Sequence, residues 1–392
     1  MRIAFYAPLK PPTHPVPSGD WRLARLLMAA LARAGHEVEL ACRFRSWDGT
    51  GDAARLRRLE ALGERLARRL IRRYGAKAPP RPPQAWFTYH VYYKAPDWIG
   101  PLVSEALSIP YLVAEASVSH RRTAGPWAAG YRSTVKSVKG AAAVIALNPA
   151  DMPALLPLVS DPRRMVPLKP FLDAKAFGEA AGGNRAPKAE RRVRLARRFG
   201  LDPDTPWLLA VAMMREGDKL ASYEILGRAL ARLRHRSWQL VVAGDGPARR
   251  QVEPTLERAG AERVRFAGVL AAEDLAPLYG ACDVFVWPAV NEAFGMALLE
   301  AQAAGLPAVA GNSHGVADII DDGETGLLVP EGDADAFAGA VSALLSDPRR
   351  RAIMAEKARA KVRQCHDIAG AAKTLNAALA IACDTSSDAR AP

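Results

Sequence analysis

The chain has 392 residues, which exceeds the size of one hydrophobic core and predicts two domains. Apolar residues make up 49% and charged residues 24%, so the composition excludes disordered, collagen-like and coiled-coil proteins. The longest apolar runs, 141–147 and 207–214, are far shorter than the ~20 residues of a membrane-spanning helix.

Three features predict a cytoplasmic protein. The N-terminus passes from the apolar residues 3–7 into a proline-rich loop and lacks the pattern of a signal peptide. The four cysteines show no zinc-binding spacing. They are also too few to staple a secreted scaffold.

The charge is unevenly distributed along the chain. Residues 1–198 carry 34 Lys and Arg against 15 Asp and Glu (34 − 15 = +19), whereas residues 199–392 carry 20 against 26 (20 − 26 = −6). A strongly basic half favours a polyanionic partner. The count alone leaves nucleic acid, anionic lipid and phosphorylated glycolipid open.

In the first half, apolar runs alternate with helical patterns, which is typical of parallel sheets covered by helices. Strands are predicted at residues 3–7, 37–41, 85–91, 111–114 and 142–146. A helix over 20–34 follows Ser18 and Gly19, and such a glycine turn at a helix N-terminus suits an anion. A purely structural turn is the alternative.

Residues 171–199 lose this periodicity and are rich in Gly, Ala, Pro and Arg, which predicts a linker between domains 1–170 and 200–365. The second half then resumes the alternation. Its predicted strands are 207–213, 239–243, 264–266, 284–287 and 308–310, and its last predicted helices are 333–345, 348–364 and 368–383. A polar tail is predicted at 384–392.

The most informative segment is 292–300, with Glu292 in a loop after a strand and Glu300 on the following helix. Eight helical residues rise about 12 Å, beyond the ~5–9.5 Å between the paired carboxyl groups of glycoside hydrolases. A nucleotide sugar fits better, with its diphosphate at the helix N-terminus and a carboxylate on each sugar. The alternatives are a dipole-favoured charge at Glu292 and a solvated helix residue at Glu300.

Residues 292–300 and their continuations 301–311 and 322–330 resemble family-4 retaining glycosyltransferases, whose signature is Glu, seven residues, Glu. Segments 244–247 and 281–286 also resemble that family's second domain. The likeness covers residues ~205–345 well; in the first half it is limited to 17–19 and 34–38. It implies an α/β GT-B fold of two Rossmann-like domains that face each other across a cleft.

The resemblance implies an acceptor on the first domain, a nucleotide-sugar donor on the second, and a C-terminal helix over 366–383 that returns to the first domain. Glu292 would contact the transferred sugar, while Arg215 and Lys219 would neutralise the departing diphosphate without a metal ion or other cofactor. The family usually separates that Arg and Lys by more than three residues, which leaves the alignment of Lys219 open. The implied donor contacts are Ser18, Gly19, Gly246, Phe294, Gly295, Met296, Ala297, Leu298 and Glu300.

The first half departs from the family at a Thr-x-His pattern that touches the transferred sugar. At this place the chain has residues 115–122, so either His120 substitutes from a shifted position or Glu115 and Ser117 make acceptor contacts. His90, at another strand end, is a rival. A structural role is the alternative for either histidine.

Residues 55–73 carry eight Arg and two Glu, a net +6, with leucines at helical spacing. This segment is either a surface helix docked on its own sheet or an element that lies on anionic lipid. The aromatic residues between 86 and 98 indicate either an acceptor cleft or core packing; they are Trp86, Tyr89, Tyr92, Tyr93 and Trp98.

The sequence therefore predicts a retaining hexosyltransferase that uses a nucleotide-diphosphate sugar and a carbohydrate or glycolipid acceptor, on the cytoplasmic face of the inner membrane. The base, the sugar and the acceptor stay open. Two alternatives remain: a nucleotide-sugar epimerase or glycosyl phosphorylase on the same fold, and a basic polyanion-binding protein. Nucleic acid is not expected, because the arginines form no recognisable nucleic-acid motif.

Overall fold

The computed structural model describes residues 1–16, 18–75, 81–183, 187–313 and 315–388; of residues 120, 183 and 386–388 it describes the backbone alone. The chain divides into two compact units. The first unit consists of Met1–Lys169 and Ile368–Pro392, and the second of Pro170–Asp367.

The first unit is built on a six-stranded parallel sheet of order β2-β1-β3-β4-β5-β6. Its strands are β1 (Arg2–Tyr6), β2 (Glu37–Leu40), β3 (Ala85–Tyr92), β4 (Tyr111–Ser117), β5 (Ala143–Ala146) and β6 (Met165–Pro167). Its first helices are α1 (Gly19–Arg33), α2 (Ala53–Gly75), α3 (Gly100–Leu107), α4 (Ala128–Gly140) and α5 (Met152–Leu155).

The core of this unit follows from its apolar strands. All four residues of β5 are buried and so is nearly all of β3, as expected for a parallel sheet covered on both faces. The five predicted strands are all present. The sixth, β6, was not predicted, because it is a three-residue edge strand that ends in Pro167 and has too short an apolar run.

The second unit is a second six-stranded parallel sheet, of order β12-β11-β10-β7-β8-β9. Its strands are β7 (Trp207–Val211), β8 (Gln239–Ala243), β9 (Val264–Gly268), β10 (Val284–Trp287), β11 (Ala308–Gly311) and β12 (Gly326–Val329). Its helices are α6 (Ala174–Gly178), α7 (Lys188–Phe199), α8 (Asp218–Arg232), α9 (Arg249–Glu257), α10 (Ala272–Ala281), α11 (Met296–Ala304), α12 (Val316–Ile319), α13 (Ala334–Ser346) and α14 (Pro348–Cys365).

This strand order is that of the doubly wound dinucleotide-binding sheet, and it reverses between β7 and β10. Ligands of such sheets bind outside the carboxyl ends of the two strands at the reversal. The α/β prediction of two Rossmann-like units is confirmed. The strand β12 was not predicted, because it is a four-residue edge strand that begins at Gly326.

The predicted linker is wrong for much of 171–199. Helices α6 and α7 lie there, and both belong to the second unit. The Arg192 guanidinium of α7 donates to the Asp283 carboxylate at 2.8 Å and stacks on Trp207, with 4.1 Å between the guanidinium carbon and the ring centroid. Helix α7 packs partly through the side chains of its arginines. A prediction based on apolar residues alone therefore misses this packing.

The last helix, α15 (Ile368–Asp388), belongs to the first unit, where it packs against α1 and β5. His36 Nε2 lies 3.1 Å from the Asn376 Oδ1 of this helix. The predicted tail is wrong for residues 384–388, which continue the helix. Residues 389–392 lie outside the described part of the chain.

Candidate active site

The second unit carries an acidic loop, residues 288–295, at the carboxyl end of β10 and so at the reversal of the sheet. Ala289 and Asn291 adopt left-handed φ angles of 55° and 47°. Such non-glycine conformations cost free energy and persist where surrounding contacts hold them. The chain leaves β10 through a sharply folded loop instead of entering a helix directly.

Side chains from three neighbouring segments hold this loop. The Asn291 amide group donates to the Asp218 carboxylate at 3.1 Å, which ties the loop to the start of α8. Backbone N–H groups of the loop donate to side-chain oxygens: Val290 to Ser222 (3.0 Å), Asn291 to Glu331 (3.1 Å) and Glu292 to Ser313 (3.1 Å). These four hydrogen bonds hold the loop in place.

Glu292 is the central carboxylate of the loop. It forms an ion pair with the Lys219 ammonium, and Trp287 donates its indole N–H to the same carboxylate oxygen at 3.2 Å. The two charged side chains are 17% and 22% exposed, so they remain accessible. Lys219 also lies 5.4 Å from the centroid of the Trp287 ring.

The structure brings together two of the three residues that the sequence had placed in one site. Lys219, whose alignment was open, meets Glu292 directly because it lies in the first turn of α8, just after β7. Arg215 lies in the loop between β7 and α8, and its side chain is exposed, with no partner among the described residues. Lys219 and the loop that carries Arg215 thus follow β7, one of the two strands at the reversal of the sheet.

Helix α11 begins at the end of the acidic loop. Gly295 caps it with a left-handed φ of 59°, and no side chain caps its first turn. The N–H groups of Met296, Ala297 and Leu298 belong to that turn and are open to an anion. Glu300 is only 3% exposed, so the alternative of a solvated residue is wrong.

The structure also shows the local roles of the other predicted donor contacts. A Cβ at Gly246 would lie 2.2 Å from the Met214 carbonyl oxygen, so only glycine fits this turn after β8. In the first unit, the Ser18 hydroxyl accepts the Trp21 N–H at 3.2 Å and caps α1, whose first residue is Gly19. Phe294 is half-buried in the acidic loop.

The first unit carries a polar cluster at the carboxyl ends of its own strands, which we call the His90 cluster: Asp20, His90, Glu115 and Asp151. His90 Nδ1 lies 3.1 Å from an Asp20 oxygen and 3.6 Å from a Glu115 oxygen. His90 and Glu115 have left-handed φ angles of 62° and 57°. Neighbouring contacts thus hold both strand ends in a costly conformation.

The charged groups of the His90 cluster shift one another's pKa. Burial would lower the pKa of His90, but the carboxylates of Glu115 and Asp20 outweigh it and raise the pKa to about 9. Burial raises the pKa of Glu115 and of Asp151. His90 is therefore an imidazolium near neutral pH and cannot serve as a general base there.

The other predicted residues of the first unit separate into two groups. The Ser117 hydroxyl donates to Asp151 and so joins the His90 cluster. His120 begins a 3₁₀ turn, His120–Arg122, and its side chain is outside the described residues. Among the aromatic side chains, Trp86 and Tyr89 are fully buried and belong to the core, whereas Tyr92 and Tyr93 are half-buried.

The basic segment forms helix α2. Its leucine stripe packs inward, with Leu56 and Leu70 buried, and Gly63 lies so close to Trp98 that a Cβ would stand 2.4 Å from the Trp98 Cβ. The eight arginines stay exposed and form what we call the arginine face: Arg55, Arg57, Arg58, Arg65, Arg68, Arg69, Arg72 and Arg73. No helix in the described ranges has the length and apolarity to cross a membrane.

Sequence reasoning missed the residues that support the site. Asp20 and Asp151 are isolated acidic residues in loops or helix starts, and Ser313 is a lone serine after β11. Asp20 carried one usable signal, since it directly follows the Ser18 and Gly19 turn. The others become visible only when the strands are ordered in the sheet.

The comparisons with known proteins agree with this geometry. Residues 205–347 match the family model described as Glycosyl transferases group 1. HepE from Anabaena, solved in complex with UDP, has the same fold with a TM-score of 0.73 over 97% of this chain and 100% of that chain, at 18% identity. The whole chain therefore has the GT-B fold, and its residues 205–347 match the glycosyl transferases group 1 family. The predicted resemblance to family-4 glycosyltransferases is confirmed.

Curated relatives match part of the chain. The alpha-D-kanosaminyltransferase of Streptomyces kanamyceticus is 32% identical over 262 residues, which is 66% of this chain and 64% of the relative. A GDP-mannose-dependent alpha-(1-6)-phosphatidylinositol monomannoside mannosyltransferase of Mycolicibacterium smegmatis is 36% identical over 181 residues, 43% of this chain and 46% of that one. The matches span less than two thirds of either relative.

Proposed function

We propose that this chain is a retaining glycosyltransferase that moves a hexosyl group from a nucleotide-diphosphate sugar to an acceptor hydroxyl. One observation carries the proposal: the Glu292–Lys219 ion pair lies beside the uncapped first turn of α11, at the reversal of the second sheet. This arrangement places a carboxylate for sugar hydroxyls next to amide donors and cations for a diphosphate.

The reaction breaks the bond between the anomeric carbon and the diphosphate oxygen. The acceptor oxygen forms its bond to the same face of that carbon, and its proton passes to the departing phosphate oxygen. Arg215, Lys219 and the amides of α11 stabilise the negative charge that accumulates on the leaving group. Glu292 holds the transferred sugar, and Glu300 binds the ribose of the donor.

The relatives leave the base of the donor open. The mycobacterial relative is named for GDP-mannose and the Anabaena structure contains UDP. Thermal-shift screening against UDP, GDP and ADP with their sugars identifies the base, because a bound ligand stabilises by RT ln(1 + [L]/Kd). The product would be a cell-surface polysaccharide or a glycolipid.

The test replaces the central carboxylate. Glu292→Gln keeps the shape but loses the charge that pairs with Lys219, and we expect at least a hundredfold loss of donor turnover in the presence of EDTA. Glu262→Gln, an exposed glutamate of the same unit, is the matched control and should keep full activity.

Three outcomes would contradict parts of the proposal. Full activity of Glu292→Gln would show that this carboxylate does not have the role proposed for it. Loss of activity with EDTA in the unsubstituted chain would show that the reaction needs a metal ion. Epimerised sugar from donor incubated alone would favour the epimerase.

The arginine face of α2 supports a location on the cytoplasmic face of the inner membrane. Leu56 and Leu70 are used in packing, so attachment would be mainly electrostatic and would bring the enzyme to an acceptor in an anionic bilayer.

A further inference from the structure

Trp287 is the last residue of β10 and directly precedes the acidic loop. Its buried indole donates its N–H to Glu292 Oε2 at 3.2 Å. An indole has one donor and no acceptor, so a buried tryptophan needs an acceptor within reach. The other two tryptophans of the second unit, Trp207 and Trp238, donate to backbone carbonyl oxygens at 2.8 and 2.9 Å. Trp287 alone of these three donates to a side chain that the site uses.

The two oxygens of the Glu292 carboxylate differ in their surroundings. Oε2 accepts from the Trp287 indole and pairs with the Lys219 ammonium. Oε1 accepts no hydrogen bond from any residue that the structure describes, and the side chain is partly exposed. Since an ionised carboxylate can accept on both oxygens, Oε1 is the oxygen left for the hydroxyl groups of a sugar.

The two partners of Oε2 differ in mobility. Lys219 carries its ammonium on a flexible four-carbon chain, and the proposed function turns it toward the diphosphate. Trp287 is packed instead against Tyr223, with 5.1 Å between the ring centroids and 78° between the ring planes. The Tyr223 hydroxyl in turn donates to the Ala212 carbonyl oxygen at 2.9 Å, in the loop after β7. The indole N–H is therefore the fixed partner of the carboxylate.

We propose that Trp287 is a positioning residue for glycosyl transfer: its indole N–H holds Glu292 Oε2, so that Oε1 meets the hydroxyl groups of the transferred sugar. This inference rests on the proposed function and adds a residue that lies outside segment 292–300. A small displacement of a group that orients the reacting sugar lowers the rate strongly. The alternative is that Trp287 serves only to pack against Tyr223.

Two variants separate the hydrogen bond from the packing. Trp287→Phe keeps a six-membered ring but removes the N–H. Trp287→His keeps an N–H, because the histidine ring superimposes on the pyrrole ring of the indole and its Nε2 takes the place of the indole nitrogen. It loses the six-membered ring. A packing role predicts that Trp287→Phe is the more active variant, whereas a positioning role predicts that Trp287→His is.

The measurement is turnover of UDP-glucose, GDP-mannose and ADP-glucose at pH 7.5, with water as acceptor and with rates divided by the fraction of protein that binds the matching nucleoside diphosphate. For the donor that the unsubstituted chain uses, kcat/KM should fall at least about tenfold in Trp287→Phe, because a hydrogen bond to a charged group is lost. In Trp287→His it should fall less than threefold.

Binding of the nucleoside diphosphate is the readout that a purely structural role would also change. Its Kd, measured by calorimetry, should change less than threefold in both variants, since this ligand lacks the sugar that Glu292 contacts. The Kd of the nucleotide sugar should rise in Trp287→Phe. The same substitution made in Glu292→Ala should leave that Kd within twofold, because the indole acts through the carboxylate.

Trp238→Phe is the matched control. It removes a buried indole N–H from the same unit, but Trp238 directly precedes β8 and so lies at the opposite end of the sheet from the acidic loop. This variant should keep kcat/KM for the donor within twofold of the unsubstituted chain.

Four results would overturn the inference: full activity of Trp287→Phe, a Trp287→His variant no more active than Trp287→Phe, loss of nucleoside diphosphate binding in both variants, or a further loss of affinity in the Glu292→Ala background. The unsubstituted chain tests the proposed function separately. If it binds and turns over none of the three donors, both proposals fail, whereas turnover that does not depend on Trp287 contradicts only this inference.

Discussion

At the residue scale, the main feature of the first unit is the partly buried His90 imidazolium, which lies between the Asp20 and Glu115 carboxylates. His90 gains these partners only on folding, so its pKa rises from about 6.5 in the unfolded chain to about 9. A raised pKa means that the folded state binds the proton more tightly. The contribution of His90 to stability is therefore complete below pH ~6.5 and disappears as the pH rises through about 9.

We predict that His90→Gln destabilises the first unit at pH 6 by at most about 3 kcal/mol and that this difference shrinks by pH 9.5. Urea unfolding of variant and unsubstituted chain at both pH values measures it. His235→Gln, at an exposed position in the second unit, controls for the loss of a histidine. A difference that grows with pH would contradict the prediction.

Site residues were predictable where a motif fixed their spacing. Glu292 and Glu300 could be found because a helix start converts sequence separation into distance. Asp20 was not found because its neighbours, His90 and Glu115, come from two later strands of the sheet. A local sequence pattern cannot indicate the contact between Asp20 and His90, because these residues lie 70 positions apart (90 − 20 = 70).

At the element scale, the glycine turn after β8 is set by packing against the loop after β7. Gly246 has a φ of 156°, and its Cα faces the Met214 carbonyl oxygen. We predict that Gly246→Ala destabilises the second unit by about 2–4 kcal/mol, through overpacking and backbone strain.

Gly339 offers the matched control, since it lies inside α13 with open space where a Cβ would stand. Gly339→Ala should stabilise by about 0.5–1 kcal/mol, because alanine favours the helix. Thermal unfolding of both variants checks the pair, and equal shifts of the same sign would contradict the packing argument.

The exposed arginines of α2 allow an independent test of membrane attachment. Replacing Arg65, Arg68, Arg69 and Arg72 by Gln should weaken binding to vesicles with 30% anionic lipid by at least about tenfold, since each basic residue contributes about 1 kcal/mol near such a surface. Vesicles of neutral lipid should bind neither protein. Flotation or sedimentation measures the bound fraction.

The control variant removes four exposed arginines from the second unit: Arg194, Arg197, Arg250 and Arg258. It has the same net charge as the α2 variant. If both variants lose binding equally, total charge and not the arginine face attracts the vesicle.

Elements with strong periodicity were predicted well, and the misses share a cause. The strands β6 and β12 have only three and four residues. Each lies at the edge of its sheet and pairs with one strand, so its apolar run is too short to be recognised. Helix α7 was predicted as part of a linker because residues 171–199 show no apolar periodicity and are rich in Gly, Ala, Pro and Arg. In the structure its Arg192 packs against Trp207.

At the scale of the whole molecule, both ends of the chain contribute to one unit. Helix α15 buries an apolar face in the first unit, formed by Ile368, Ala371, Ala372, Leu375, Ala378, Leu379 and Ala382. The sequence indicated two α/β units from length and alternation, but the crossing of the last helix came only from the family resemblance.

We predict that a chain ending at Asp367 loses the thermal transition of the first unit, because α1 and β5 lose the helix that covers them. The second unit, whose residues 170–367 are intact, should still unfold cooperatively. Calorimetry of the shortened and complete chains distinguishes these transitions. Two unchanged transitions would show that α15 is dispensable for folding.

The return of α15 also sets an order of events on the ribosome. At roughly 5–20 residues per second, synthesis of residues 170–367 takes roughly 10–40 s, during which the nascent first unit lacks its covering helix. The second unit, encoded without interruption, emerges complete and can fold earlier, although its codons come later. We therefore expect the N-terminal sheet to expose the apolar surface that α15 covers until this helix has left the ribosome.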